Sequence, residues 1–133
     1  MWGRGIGRGR RWVSQAPSEP VKIGESGKVA VATASGGLDD VVSQMFARSP
    51  TFTLVEIRKG KIVDVKVISN KYVNNPSGVA IAVSQMLANL GVNVVIAGNF
   101  GPNAYRVLSQ LGIKALTVPP GTKVREAVNS VIS

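Results

Sequence analysis

Three polar, glycine-containing stretches carry the residue types best suited to holding an anion. They are Thr33-Ala34-Ser35-Gly36-Gly37, Asn74-Asn75-Pro76-Ser77-Gly78 and Gly98-Asn99-Phe100-Gly101-Pro102-Asn103. The last two run directly into helical patterns. The first turn of a helix leaves backbone N–H groups unpaired at the positive end of its dipole, so such a turn suits a negative ligand. Arg48 adds a planar guanidinium with several donors in a rigid fork. The candidate ligand-binding set is therefore Ser35, Gly36, Arg48, Asn75, Ser77, Gly78, Asn99, Gly101 and Asn103. The chain has no Cys and no His. That removes disulfides and thiolate nucleophiles, and with them the best ligands for soft and transition metals. A ligand here is expected to be held by charge and hydrogen bonds, and no catalytic or metal-ligating residue is assigned.

Each of these residues also has a purely structural reading. Arg48 could pair with Asp39 or Asp40, a Gly-x-x-Gly turn could serve close packing alone, and Asn is a common turn residue. Met45 offers a thioether, but its spacing with Val41 and Val42 predicts a core position, as for Phe46 and Phe52 beneath the loops.

The elements that must position these loops follow from periodicity. The chain is 133 residues long with 44% hydrophobic residues, enough for one domain with one core. Residues 1–27 read as a disordered tail and linker, Gly/Arg-rich through Arg4, Arg8, Arg10 and Arg11 and then Pro-containing. The ordered domain is expected over 28–133.

Val29 to Ala32 make a short strand buried on both faces. Asp39 is placed to cap a short helix through Leu38, Val41, Val42, Met45 and Phe46. Thr51 to Ile57 and Lys61 to Ser69 form a hairpin, the second strand alternating Val63, Val65 and Val67 with Asp64 and Lys66 as an edge strand would. A helix from Ser77 ends at Gly91, Val92 to Ala97 is a strand, a helix from Pro102 ends at Gly112, and Ile113 to Val118 is the last strand. Thr122 is placed to cap a final helix. Right-handed crossovers then give an α/β fold, a five-stranded mixed sheet of order 3-2-1-4-5 with helices on both faces. The C-terminal ends of strands one, three and four are expected on the same edge, beside the point where the strand order reverses, so that all three loops converge at the usual ligand edge of open α/β sheets.

Sixteen Lys and Arg against seven Asp and Glu give a formal charge of +9. Such a balance favours anionic partners: phosphates, nucleic acid, clusters or acidic protein surfaces. No run approaches a membrane span, and no apolar stretch follows the charged N-terminus, so a cytoplasmic protein is expected. The Gly/Arg stretch with Trp2 and Trp12 could engage nucleic acid through phosphate contacts and stacking, or act only as a solubilising tail.

Ser43-Gln44-Met45-Phe46-Ala47-Arg48-Ser49-Pro50-Thr51-Phe52 resembles the Ser-x-His-Phe-Gly-Arg-x-x-x-Phe segment of the dinitrogenase iron–molybdenum cofactor biosynthesis domain family. Asn75-Pro76-Ser77-Gly78-Val79-Ala80 resembles its loop before the first long helix. Gly98-Asn99-Phe100-Gly101-Pro102-Asn103-Ala104 is similar to its Gly-x-x-Gly-Pro-x-Ala helix start, with Leu111-Gly112-Ile113 following. The resemblance implies an RNase H-like three-layer sandwich. It also implies a small accessory protein that binds, carries or protects a metal–sulfur cluster, with a non-covalently held molybdenum- or iron-containing sulfur cluster as its ligand. Met45 and Ala47 stand where the family often has His and Gly, and Ser77 where many members have His or Gly. Arg48 and the backbone amides are what remains of that family's site.

An RNase H-like fold raises nuclease chemistry, which needs clustered carboxylates around paired ions. The first strand carries no acid, Asp64 alternates onto a wet face, and Asp39-Asp40 is an adjacent pair at an expected helix start. A non-enzymatic binding or carrier protein for an anionic metal–sulfur cluster or oxyanion is therefore expected. The alternatives are a nucleic-acid-binding module that uses the tail, and an interaction domain without ligand.

Overall fold

A computed structural model of the protein describes residues 26–132. The expected tail, apart from its last two residues, lies outside the described residues. The element order is β1 (Gly27–Thr33), β2 (Thr51–Arg58), β3 (Lys61–Ser69), α1 (Val79–Asn89), β4 (Val94–Ala97), α2 (Pro102–Gln110), β5 (Lys114–Thr117) and α3 (Val124–Asn129). The sheet order is β3-β2-β1-β4-β5, as the sequence predicts. β1 runs antiparallel to β2 and parallel to β4, and β4 is parallel to β5.

Strand β1 is central and divides the core. Ala30 and Ala32 face α1 and α2, beside Phe46, Phe52, Phe100, Val83, Leu87 and Leu108. Val29 and Val31 face α3, beside Val55, Ile57, Ile96, Val124 and Val128. The two alanines leave room for aromatic rings on their side. Phe46 lies 5.7 Å from Phe52 and 5.1 Å from Phe100, ring centre to ring centre, directly under the loops. Gly91 and Gly112 close α1 and α2 at φ 80° and 77°, a conformation that costs glycine little. No helix of the described residues is long and apolar enough to cross a membrane.

Three expectations are corrected. The short helix after β1 does not form. Its segment instead makes isolated bridges, Thr33 with Val42, Val41 with Lys123 and Met45 with Asn99. The Ser43 N–H donates to the Ala32 carbonyl at 2.7 Å and the Val42 N–H to the Thr122 carbonyl at 2.7 Å. Backbone groups that bond to neighbouring loops cannot also close helical turns. The apolar residues consequently split: Val42 and Phe46 are buried, while Met45, expected in the core, is 50% exposed.

Helix α3 has six residues and starts at Val124 after Lys123; the Thr122 hydroxyl donates back to the Pro119 carbonyl instead of capping it. Finally, β3 alternates as predicted but its apolar side is not covered. Val63 and Val67 are 52% and 44% exposed, because the short α3 packs over β1 and does not reach the edge.

A cleft between two helix starts

The loop after β1 is wound around a carboxylate of its own. Asp40 Oδ2 accepts the N–H groups of Ser35 at 2.9 Å and Gly36 at 2.8 Å, and Oδ1 accepts that of Val41 at 2.8 Å. The Gly36 N–H, more than any other neighbour, holds the Asp40 carboxyl below its ordinary value. Gly36 sits at φ 101°, and a Cβ there would collide with Val67. The next amide, of Gly37, donates to the Thr53 hydroxyl at 2.9 Å. Ser35 and Gly36, both in the candidate set, thus have their amides occupied by an internal anion.

The loop after β4 faces the segment that follows β1 across a cleft of about 270 Å³. Met45, Phe46, Ala47 and Arg48 form one wall. Ala80 contributes from the first turn of α1, and Asn99, Gly101, Pro102, Asn103 and Ala104 form the opposite wall. The Met45–Asn99 bridge joins the walls. Behind it the Gly98 N–H donates to the Ser43 carbonyl at 2.9 Å. A Cβ on Gly98 would lie 2.8 Å from the Gln44 Cα, so this crossing of two backbones requires glycine.

Arg48 is exposed and reaches across to the α1 side, donating from Nη1 to the Val73 carbonyl at 2.8 Å. It takes neither expected carboxylate. Asp39 pairs with Arg125 at 3.2 Å, and Asp40 serves its own loop. The remaining guanidinium donors lie at a cleft whose lining contains no acidic residue.

Asn103 Oδ1 accepts from Arg106 Nη2 at 2.8 Å, which fixes the side-chain carbonyl and leaves its NH₂ as a donor. Gly101 is the N-cap of α2 and Pro102 its first residue; no side chain caps the helix, and its first turn holds no acid. Helix α1 starts the same way, with Gly78 as N-cap at φ 72° and no side-chain cap. Helix-start amides and a guanidinium around one apolar-floored cleft can do one thing well, which is to hold an anion.

The structure brings Arg48, Asn99, Gly101 and Asn103 together. Asn75, Ser77 and Gly78 shape the entry to α1 without lining the cleft. The Asn75 N–H donates to the Tyr72 carbonyl at 3.0 Å, and Ser77 is exposed. Two participants escape sequence reasoning. Met45 lines the cleft because the local helix is absent, and Ala80 enters only through the packing of α1. A groove of about 450 Å³ beside Tyr105 is larger, but Lys114 is its one charged side chain and no helix start opens onto it.

Residues 27–133 match the family model described as dinitrogenase iron-molybdenum cofactor. The apo form of the orange protein from Desulfovibrio gigas has a similar structure, with a TM-score of 0.70 at 28% identity, covering 81% of this chain and 87% of that one. An NMR structure of a proposed NifB protein from Thermotoga is similar at a TM-score of 0.64 and 30% identity, covering 78% and 85%. The uncharacterised protein MJ0580 of Methanocaldococcus jannaschii is 42% identical over 72 residues, which span 54% of this chain and 61% of that relative.

Proposed function

This chain belongs to the dinitrogenase iron–molybdenum cofactor family, and from that premise we propose that it is a small non-enzymatic carrier of an anionic metal–sulfur cluster or oxyanion. The cargo sits in the cleft between the starts of α1 and α2. Arg48 clamps it, the amides of the first α2 turn after Gly101 donate to it, and the side-chain amides of Asn99 and Asn103 complete the rim. Ser77 and Gly78 set the direction in which α1 enters. The carrier works in the cytoplasm.

The single observation that supports this best is Arg48 held by a backbone carbonyl instead of a carboxylate, beside two uncapped helix starts. A guanidinium without a counter-charge, facing dipoles of the same sign, is a site built to be completed by an anion. With no Cys or His in the chain, cargo is captured by charge and hydrogen bonding and remains exchangeable.

Titration of tetrathiomolybdate, molybdate and phosphate into ¹⁵N-labelled protein tests this. Amides at Arg48, Ala80, Asn99, Gly101, Asn103 and Ala104 should shift together, while Ser35 and Gly36 stay in place. Absence of shifts at millimolar anion, or shifts confined to residues outside the cleft, would rule out a carrier site there.

A further inference from the structure

Strand β3 is an outer edge of the sheet and runs nine residues, against four in the other edge strand, β5. Among the described residues no segment other than β2 pairs with it. Its outward N–H and C=O groups are open to another strand. Along this edge the residues read nearly the same from either end: Ile62-Val63-Asp64-Val65-Lys66-Val67-Ile68. Val65 is the centre, and the asymmetry is an acid on one side of it and a base on the other.

Such a strand is complementary to itself when antiparallel. About a two-fold axis through Val65, Val65 meets its own copy, each Asp64 meets a Lys66, and each Val63 meets a Val67. These outer valines are 52% and 44% exposed. A two-fold axis normal to the sheet keeps each face on its own side, so it must pass through a residue. An axis through Asp64 or Lys66 would set like charges against each other. One through Val63 or Val67 would set Asp64 against Ile62 or Lys66 against Ile68. Only Val65 as centre matches every pair by charge and by apolar character.

Within one copy Asp64 has an unfavourable neighbour. It stands directly opposite Glu56 in the β2–β3 register, and Glu56 is held by Arg58 at 2.8 Å. Neither Asp64 nor Lys66 forms an ion pair among the described residues. Lys66 of a second copy would supply the missing cation. The bulge in β3 skips Val63 and leaves 64–69 in regular register with β2, so the central pairs have an unbroken strand beneath them.

We propose that β3 is a self-association surface, through which two copies of this chain pair antiparallel about Val65 and join their sheets into one. The strand leads from Ser69 into the loop whose Val73 carbonyl holds Arg48, so the antiparallel arrangement leaves the two clefts at opposite ends of the joined sheet. Stable dimers bury roughly 1,600 Å². A single strand ladder is smaller, and the association is accordingly weak and concentration-dependent.

Sedimentation velocity of the full chain from micromolar to millimolar concentration tests this. The parent should pass from monomer to dimer, with nuclear Overhauser contacts between labelled and unlabelled copies at Val65 and between Val63 and Val67. Asp64→Lys and Lys66→Asp should each weaken dimerisation about tenfold, since like charges then face each other twice. Mixing the two single variants should restore it, because every charged pair is opposite again, and so should Asp64→Lys/Lys66→Asp in one chain. Asp64→Lys also relieves the clash with Glu56, so an unchanged or raised melting temperature separates loss of the dimer from loss of the fold. Three results overturn the proposal: a monomer at millimolar concentration, a dimer indifferent to both single variants, and a loss that neither mixing nor the double exchange restores.

Discussion

Arg48 Nη1 donates to the Val73 carbonyl at 2.8 Å, across the gap between the segment that follows β1 and the loop that precedes α1. The contact aims the guanidinium without neutralising it. A carboxylate partner would have held it as firmly and cancelled the charge on which the proposed anion capture depends.

Arg48→Lys keeps the charge but loses the planar fork, and the shorter reach of its single ammonium cannot hold Val73 and an anion at once. Affinity for tetrathiomolybdate should fall about tenfold, ~1.4 kcal/mol, as measured by calorimetry. Equal affinity in the variant would remove the fork from the binding mechanism.

Gly98→Ala places a methyl group 2.8 Å from the Gln44 Cα and 2.9 Å from the Pro120 Cγ. Backbone cannot yield as a flexible side chain would, so chemical denaturation should show a loss of about 1–3 kcal/mol. The loops forming both cleft walls must separate, so anion affinity should fall with stability. Gly101→Ala, where nothing lies within contact distance of the added carbon, should cost less stability than Gly98→Ala, its loss being limited to the poorer N-cap.

Asp40 predicts a particular acid response. Its folded carboxyl titrates below the ordinary 3.8, chiefly through the Gly36 N–H. A depressed folded value means the unfolded chain takes up the proton first as pH falls. The stabilisation is therefore complete above the unfolded value and is lost as pH drops through the folded one. Denaturation midpoints measured from pH 6 downward should decline less steeply in Asp40→Asn than in the parent. At neutral pH, Asp40→Ala should cost roughly 1 kcal/mol, because the amides of Ser35, Gly36 and Val41 lose a charged acceptor at a partly solvated site.

Salt separates capture from ligation. Binding by exposed charge should weaken steadily with ionic strength, since screening acts over about 8 Å at physiological salt. Met45→Leu should leave molybdate affinity unchanged. Met45→His places an imidazole at the cleft wall and should make thiomolybdate binding resist salt, visible as retained absorbance after a high-salt wash. Salt-resistant binding in the parent that Met45→Leu abolishes would identify the thioether as a ligand.

Strand order, both long helices and their glycine stops were legible because each depends on local periodicity or one special backbone angle. The segment after β1 was not. Leu38, Val41, Val42, Met45 and Phe46 do have helical spacing, but their backbone is claimed by Ala32, Gly98 and Thr122, contacts that no local pattern encodes. The same remoteness hid the exposure of Met45. The sequence offered Asp40 only as one of an acidic pair at a helix start or as a partner for Arg48; that it fills the amides of Ser35 and Gly36 emerges from the turn's geometry. Arg48, Asn99, Gly101 and Asn103 could be placed on one edge because strand topology alone brings their loops together.

The bridge between Met45 and Asn99, backed by the Gly98–Ser43 hydrogen bond, ties the two walls of the cleft into the sheet at either side. Such a vessel has no door. Under the proposed carrier role, exchange would need no loop to swing, and residence time would follow the strength of grip at Arg48 and the helix starts. Delivery under that proposal is a competition, in which a recipient with thiolate or imidazole groups would draw the cluster away by offering better bonds.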